Sequence, residues 1–180
     1  MIKNSLKFLY LIMLVVIITL TVSLVEVSKE IPEYKLEDAG GSPNSPYSLQ
    51  VYTSIEKYSK RYKVPKYIAY NIAYLETTYQ GPFDWTYHGK LTSYAGAKGP
   101  MQIMPKTANY VTGKRISKSD LLHNIDLNVH ISMRLLRNLH KRYGDWGVAC
   151  GYYNTGYPKI NDYARFCVSN KEYTKHWIKL

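Results

Sequence analysis

The longest helical pattern in the chain, Asp120 to Tyr143, constrains its fold more than any other stretch. Ile125, Val129, Ser132 or Met133, Leu136, Leu139 and Tyr143 recur every three or four residues, which lines them along one stripe of a helix. Arg134, Arg137, Lys141 and Arg142 fall largely outside the stripe. Such a pattern predicts a buried spine whose basic face is either simply solvated or attractive to an anionic polymer. The remaining chain supplies shorter helices to pack on it. Leu49, Tyr52, Ile55, Tyr58 or Ser59, and Tyr62 are spaced for a first helix, broken by Tyr62-Lys63-Val64-Pro65. Pro65 suits the start of a second helix, with Ile68, Ile72, Leu75 and Tyr79 as its stripe and an end near Gly81-Pro82. Pro105 starts a short helix that stops at Gly113, and Gly144 ends the spine. Trp146 to Asn154, Pro158 to Phe166 and Asn170 to Trp177, the last with Asn170 as N-cap, complete an all-α reading.

At 180 residues the chain suits one domain with an appendage. Lys3 and Lys7 precede an uncharged run from Phe8 to Val25, rich in Leu, Ile and Val. The run is near the lower limit for a spanning helix, longer than a usual signal-peptide core, and lacks an Ala-x-Ala cleavage site. The expected organisation is a basic cytoplasmic leader at 1–7, a transmembrane anchor or signal-anchor at 8–25, a linker at 26–47 and a folded domain at 48–180. A cleaved signal peptide is the alternative to the anchor. By the positive-inside rule the domain faces the outer side, periplasmic or extracellular.

The net charge of +11 attracts anionic polymers. No nucleic-acid motif accompanies it, so nucleic acid is not an expected partner and a cell wall is. There are 19 Tyr and only 3 Phe, which suits walls that stack on sugars and equally suits compositional drift. His130 and His140 are isolated and lack metal-ligand spacing, so neither a metal nor another cofactor is expected. Cys150 and Cys167 are placed for a disulfide outside the cytoplasm or for buried free thiols.

Two stretches carry chemistry. In Leu75-Glu76-Thr77, Glu76 sits at the edge of the second helix's apolar stripe, where partial desolvation favours the protonated form a general acid needs. An ordinary surface Glu on an amphipathic helix fits the same position. The second stretch runs from Ser93 to Pro105, where Gly96 and Gly99 permit tight turns or a close approach to a ligand.

Together these stretches resemble the soluble-lytic-transglycosylase-like family, a branch of the lysozyme superfamily. That family carries a Glu-Ser pair at a helix end, then Ser-x-x-Gly-Ala-x-Gly-Leu-Met-Gln, Met-Pro-x-Thr-Ala and Ala-Tyr-Asn-x-Gly. Here the motifs read Glu76-Thr77, Ser93 to Gln102, Met104-Pro105-Lys106-Thr107-Ala108 and Tyr152-Tyr153-Asn154-Thr155-Gly156. Asn128, Ser132 and Leu136 match the family's spacing on the spine. The resemblance covers roughly residues 51–166.

It implies a lysozyme-like helical domain acting as a peptidoglycan lytic transglycosylase. Glu76 would protonate the leaving oxygen of the β-1,4 bond between N-acetylmuramic acid and N-acetylglucosamine, then act as base while a 1,6-anhydro ring closes. The substrate's N-acetyl group would assist in place of a second carboxylate, an exception to the two-carboxylate scheme. Thr77, Met101, Gln102, Tyr153 and Asn154 would bind substrate, with the Thr77 hydroxyl supporting Glu76. Tyr153 would orient the acid or bond the sugar, a buried core Tyr being the alternative. The chain departs from the pattern at Thr77, at Pro100 in place of Leu, and in a longer segment at 78–92. There Phe83, Trp85 and Tyr87 either line a sugar subsite or pin a loop to the surface. One rival is a hydrolytic lysozyme in which Asp84 places water; the other is a wall-binding scaffold whose activity has decayed. A secretion, conjugation or phage apparatus and ordinary wall turnover all remain open as context.

Overall fold

The structure, a computed structural model, describes residues 44–177 and Met13. The described residues form seven α-helices and a final 3-10 turn, and they contain no named strand. Apart from Met13, Phe8–Val25, the leader and nearly all of the expected linker lie outside the described residues. Among the described residues no helix is long and apolar enough to cross a membrane.

Helix α1 (Tyr47–Tyr62) closes at Lys63, which takes a left-handed conformation at φ 53°. Helix α2 (Lys66–Thr77) begins just after Pro65, which stands at its N-cap. It ends sooner than the periodicity predicts. Thr78 turns left-handed at φ 56° and its N–H returns to the carbonyls of Ala73 and Tyr74. The apolar face of α2 is Ile68, Ala69, Ile72 and Ala73, all fully buried. Leu75 lies off that face and is 37% exposed, whereas Tyr79 is buried from the loop beyond the helix. The predicted stripe therefore joined a helix to the turn that follows it.

Helices α3 (Pro105–Thr112) and α4 (Lys118–His123) precede the spine, α5 (Ile125–Tyr143). The single predicted run from Asp120 is two helices. Asn124 leaves helical geometry at φ −97°, ψ 93°, and its side chain accepts the Leu127 N–H at 2.9 Å. This cap starts α5, and comparable caps at Ser117, Asp145 and Asn161 start α4, α6 (Trp146–Thr155) and α7 (Asp162–Ser169). Each such cap stabilises its helix by about 1 kcal/mol. Every residue of α5 from Ile125 to Met133 is buried, because α1, α3, α4 and α6 all pack against it. The stripe read from the sequence is the centre of this wider buried surface.

The C-terminal end differs from expectation. Asn161, not Pro158, fixes the start of α7. Asn170 closes α7 instead of capping another helix; its carbonyl accepts the Asn71 side-chain N–H at 2.7 Å, and among the described residues a 3-10 turn, Tyr173–His176, follows.

The isolated histidines are structural. Tyr58 stacks on the His130 ring at 4.8 Å, and Tyr62 Oη pairs with His130 Nε2 at 2.5 Å. Burial, aided by the charges of Arg61, Arg134 and Lys57, pushes His130 down to about 3, so it stays neutral at physiological pH. His140 stacks on Trp146 at 4.0 Å. Cys150 on α6 and Cys167 on α7 are buried free thiols. A hydrogen bond with Cys150, together with burial, pushes the Cys167 thiol up, as expected for paired inert thiols in an apolar interior.

Candidate active site

The site forms where the end of α2 meets the loop leading to α3. That loop doubles back on itself through two isolated antiparallel bridges, Thr92 with Lys98 and Lys98 with Ile103. Asn128 on the spine holds it from below. Its Oδ1 accepts the Met101 N–H at 3.0 Å, and its Nδ2 donates to the Lys98 carbonyl at 2.8 Å and the Leu121 carbonyl at 3.0 Å. A fully buried amide satisfied in this way fixes three backbone positions at once. Gly99 lies directly against it. Its φ is +72°, and a Cβ there would sit 2.6 Å from Asn128 Nδ2 and 3.0 Å from the Leu121 carbonyl. Only glycine meets both demands.

Thr77 joins this loop to the helix. Its buried hydroxyl lies 3.0 Å from the carbonyls of Ala73 and Pro100 and 2.7 Å from Tyr87 Oη. One hydroxyl carries one proton, so it donates to a carbonyl and accepts from Tyr87. Tyr153 closes the arrangement from α6. Its hydroxyl donates to the Met101 carbonyl at 2.6 Å and lies 3.1 Å from Ser132 Oγ.

Glu76, one residue before this knot, is half-buried at the helix end. The Tyr163 hydroxyl on α7 donates to its Oε1 at 2.8 Å. Burial pushes the Glu76 carboxyl above its ordinary value, and the Tyr163 hydrogen bond pulls it partly back. Among the described residues no neighbouring carboxylate contributes to the rise. The carboxyl holds its proton more tightly than an ordinary glutamate, and the Tyr163 hydroxyl, by donating to it, stabilises its charged form. Burial raises Tyr153 and Tyr163 well above the usual phenol range, with the Glu76 charge adding to both, so both remain hydrogen-bond donors. Among the described residues no group of three or more His, Cys, Asp or Glu side chains could hold a metal ion.

The family model of the transglycosylase SLT domain matches residues 53–175. The chain belongs to the transglycosylase SLT domain family. A search of curated proteins finds no match. At family level, the SLT domain supports lytic-transglycosylase-type cleavage of peptidoglycan by an enzyme of the lysozyme-like superfamily.

The SLT motifs fall on one neighbourhood of the fold, but their side chains divide into two sets. Thr77 and Met101 are buried, Met101 completely, and both support the loop from inside. The Thr77 hydroxyl is occupied by backbone and Tyr87, and Met101 is anchored at both its N–H and its carbonyl. Gln102 is half-buried at a positive φ of 47°, and its Nε2 donates to the Gly99 carbonyl at 2.9 Å. Tyr153 is half-buried and bonds Met101 and Ser132, not the acid. Asn154 is exposed at the end of α6, where its Oδ1 accepts from Asn161 Nδ2 at 2.9 Å.

The side chain that orients Glu76 is Tyr163, which sequence reasoning missed. It lay inside a helix predicted from Pro158 to Phe166, with no motif to mark it. The available signal was helical spacing: Tyr163 lies on the same face of α7 as buried Cys167, four residues on.

The segment at 78–92 splits likewise. Tyr87 is buried against Thr77 and stacks edge-on to Tyr79 at 5.2 Å, so it pins the loop. Phe83 and Trp85 are exposed. Asp84 is neither solvated nor paired with Glu76. It is 7% exposed, and its Oδ1 accepts from the Thr86 N–H at 3.1 Å and the Thr86 hydroxyl at 2.7 Å. This is a local Asx-type turn inside the loop.

Proposed function

We propose that this SLT domain is a lytic transglycosylase that cleaves the β-1,4 bond between N-acetylmuramic acid and N-acetylglucosamine and leaves 1,6-anhydro-muramic ends, with Glu76 as its only catalytic carboxyl. One observation carries the reading: Glu76 is a desolvated carboxyl hydrogen-bonded by a neutral phenol, and no other carboxylate perturbs it. A raised acid donates its proton to the glycosidic oxygen as the bond lengthens. The resulting carboxylate keeps the Tyr163 donor, then accepts the proton of the muramic C6 hydroxyl as that oxygen closes on C1. The glycosyl cation has no protein carboxylate to capture it, so the substrate's own N-acetyl oxygen takes that role. Gln102, half-buried, and Asn154, exposed, each carry an amide that would bind sugar hydroxyl and acetamido groups.

A hydrolase would need a second group to seat water. Asp84, the acid nearest Glu76 in the downstream sequence, is committed to its own turn, which favours ring closure. We also propose that the Phe8–Val25 run anchors the domain on the outer side of the membrane, on the strength of its length and the two lysines before it.

The test uses the full chain. Glu76→Gln keeps size and polarity but lacks the carboxylic proton. It should abolish clearing of purified peptidoglycan while the protein still folds and still sediments with the wall. Clearing at the wild-type rate would overturn the assignment of Glu76. Wall binding without clearing by the wild type itself would favour the decayed scaffold.

A further inference from the structure

Beside the α2–α3 site, on the outer flank of α3, the surface carries a cavity of about 350 Å³ that the glycan chemistry above does not use. Its floor is apolar: Val111 from α3 and Leu135 and Leu139 from the spine are nearly buried there. Its charged groups are of one sign, with a neutral amide beside them. Lys106 enters from the first turn of α3, Arg142 from the last turn of α5, and Asn138 from the turn before. No acidic side chain lines it, and among the described residues neither Lys106 nor Arg142 has a carboxylate partner. Arg142 rests instead near the ring of Tyr143, 5.3 Å from its centroid.

A second cavity, of about 320 Å³, lies at the start of α3, where Lys98 and Lys118 join the same Lys106. Lys98 is held to Thr92 Oγ1 at 3.0 Å and among the described residues has no acid partner. Two concave sites thus meet at Lys106 and form a cationic track along α3. The track begins next to the catalytic neighbourhood: α3 starts three residues after Gln102, and Tyr152, which lines the larger cavity, is the chain neighbour of Tyr153.

We infer that this track binds the carboxylate-bearing peptide stems carried by the glycan strand, so that the enzyme reads the peptide as well as the sugar. The inference rests on the proposed peptidoglycan substrate. A peptide stem joins short apolar side chains to free carboxylates, which matches an apolar floor rimmed by an amide and two cations that have no carboxylate partner among the described residues. Arg142 offers a planar fork for one carboxylate and Lys106 a point charge for another. The volume is at the lower end for small-ligand sites and suits a few residues of peptide rather than another saccharide length. Retaining several like charges around one hollow costs the free domain some mutual repulsion, which a bound carboxylate relieves.

The experiment compares two substrates with the full chain: glycan strands carrying their peptide stems, and the same strands stripped of peptide by an amidase. Lys106 and Arg142 are both exposed, so the double variant Lys106→Ala/Arg142→Ala should keep the wild-type melting temperature and circular dichroism. On stem-bearing strands its KM should rise about tenfold, the scale of losing one or two exposed charge-assisted contacts, with kcat little changed. On stripped strands it should match wild type. Equal losses on both substrates, or none on either, would overturn the inference.

A binding arm keeps the test independent of catalysis. Free stem peptide should bind the Glu76→Gln protein and fail to bind when Lys106 and Arg142 are also replaced; peptide whose carboxylates are amidated should bind at least tenfold more weakly. Equal binding of the amidated peptide, or stronger competition by a glycerol-phosphate oligomer than by the peptide, would also overturn it. If the wild type cleaves neither strand yet the peptide binds as described, the catalytic reading fails and the peptide site stands.

Discussion

Tyr163→Phe removes one hydroxyl and keeps the ring. The lost bond is 2.8 Å long and ends on Glu76 Oε1. Hydrogen bonds to charged groups contribute about 1.5–3 kcal/mol, and the half-exposed carboxyl argues for the lower end. A loss of about 1.5 kcal/mol at the step in which Glu76 becomes charged lowers kcat by roughly tenfold. The same bond is what lowers the acid's pKa against the raising effect of burial. Without it the carboxyl holds its proton to higher pH, so the alkaline limb of the kcat/KM profile should move upward even as the plateau falls. The assay is initial-rate clearing of peptidoglycan across pH, with urea denaturation as a control for stability. A plateau that falls while the limb stays in place would mean that Tyr163 only packs α7 against α2. An unchanged profile would refute the account of how Glu76 is held.

Three further outcomes follow from the same geometry. Gly99→Ala combines a left-handed backbone with a Cβ 2.6 Å from the Asn128 amide, so it should cost about 2–4 kcal/mol by urea denaturation, whereas Gly96→Ala, with nothing within 4 Å, should cost only about 1; equal costs would refute the role given to Asn128. Glu76→Gln should stabilise the fold at neutral pH: a carboxyl whose folded pKa is raised binds its proton more tightly folded than unfolded, so wild-type stability falls as pH rises through that window and the gap to the variant opens, as thermal melts at several pH values will show. Protein recovered from membranes should have the intact mass of a chain that keeps Phe8–Val25; a chain beginning after Val22 would indicate a cleaved signal instead.

Much of the scaffold was legible because helix punctuation is local. Pro65, Pro105, Gly113 and Gly144 stand within a residue of the observed boundaries, and the spine's stripe is buried from Ile125 to Leu139, with Tyr143 half-buried at its end. The errors arose where two segments shared one periodicity. Asp120–Tyr143 kept its phase across a break that only the Asn124 cap reveals, and Tyr79 continued the α2 stripe from beyond a left-handed residue. Glu76 was readable from its place at the edge of a stripe, because desolvation follows from helix geometry. The inward turn of Thr77 and Met101 was not, because it depends on Asn128, Tyr87 and Pro100 meeting across the fold. Helical spacing could place Tyr163 on the inner face of α7, but its pairing with Glu76 was not readable for the same reason: the two lie 87 residues apart.

The central claim is that Glu76 works without a second protein carboxylate, and the mass of the released muropeptides tests it most directly. Ring closure leaves 1,6-anhydro ends one water lighter than the reducing ends of hydrolysis. Digests by the full chain should contain predominantly anhydro products, should keep that ratio in Asp84→Asn, and should contain none of either product in Glu76→Gln. Predominantly reducing ends that disappear in Asp84→Asn would contradict the account and make Asp84 the second catalytic group.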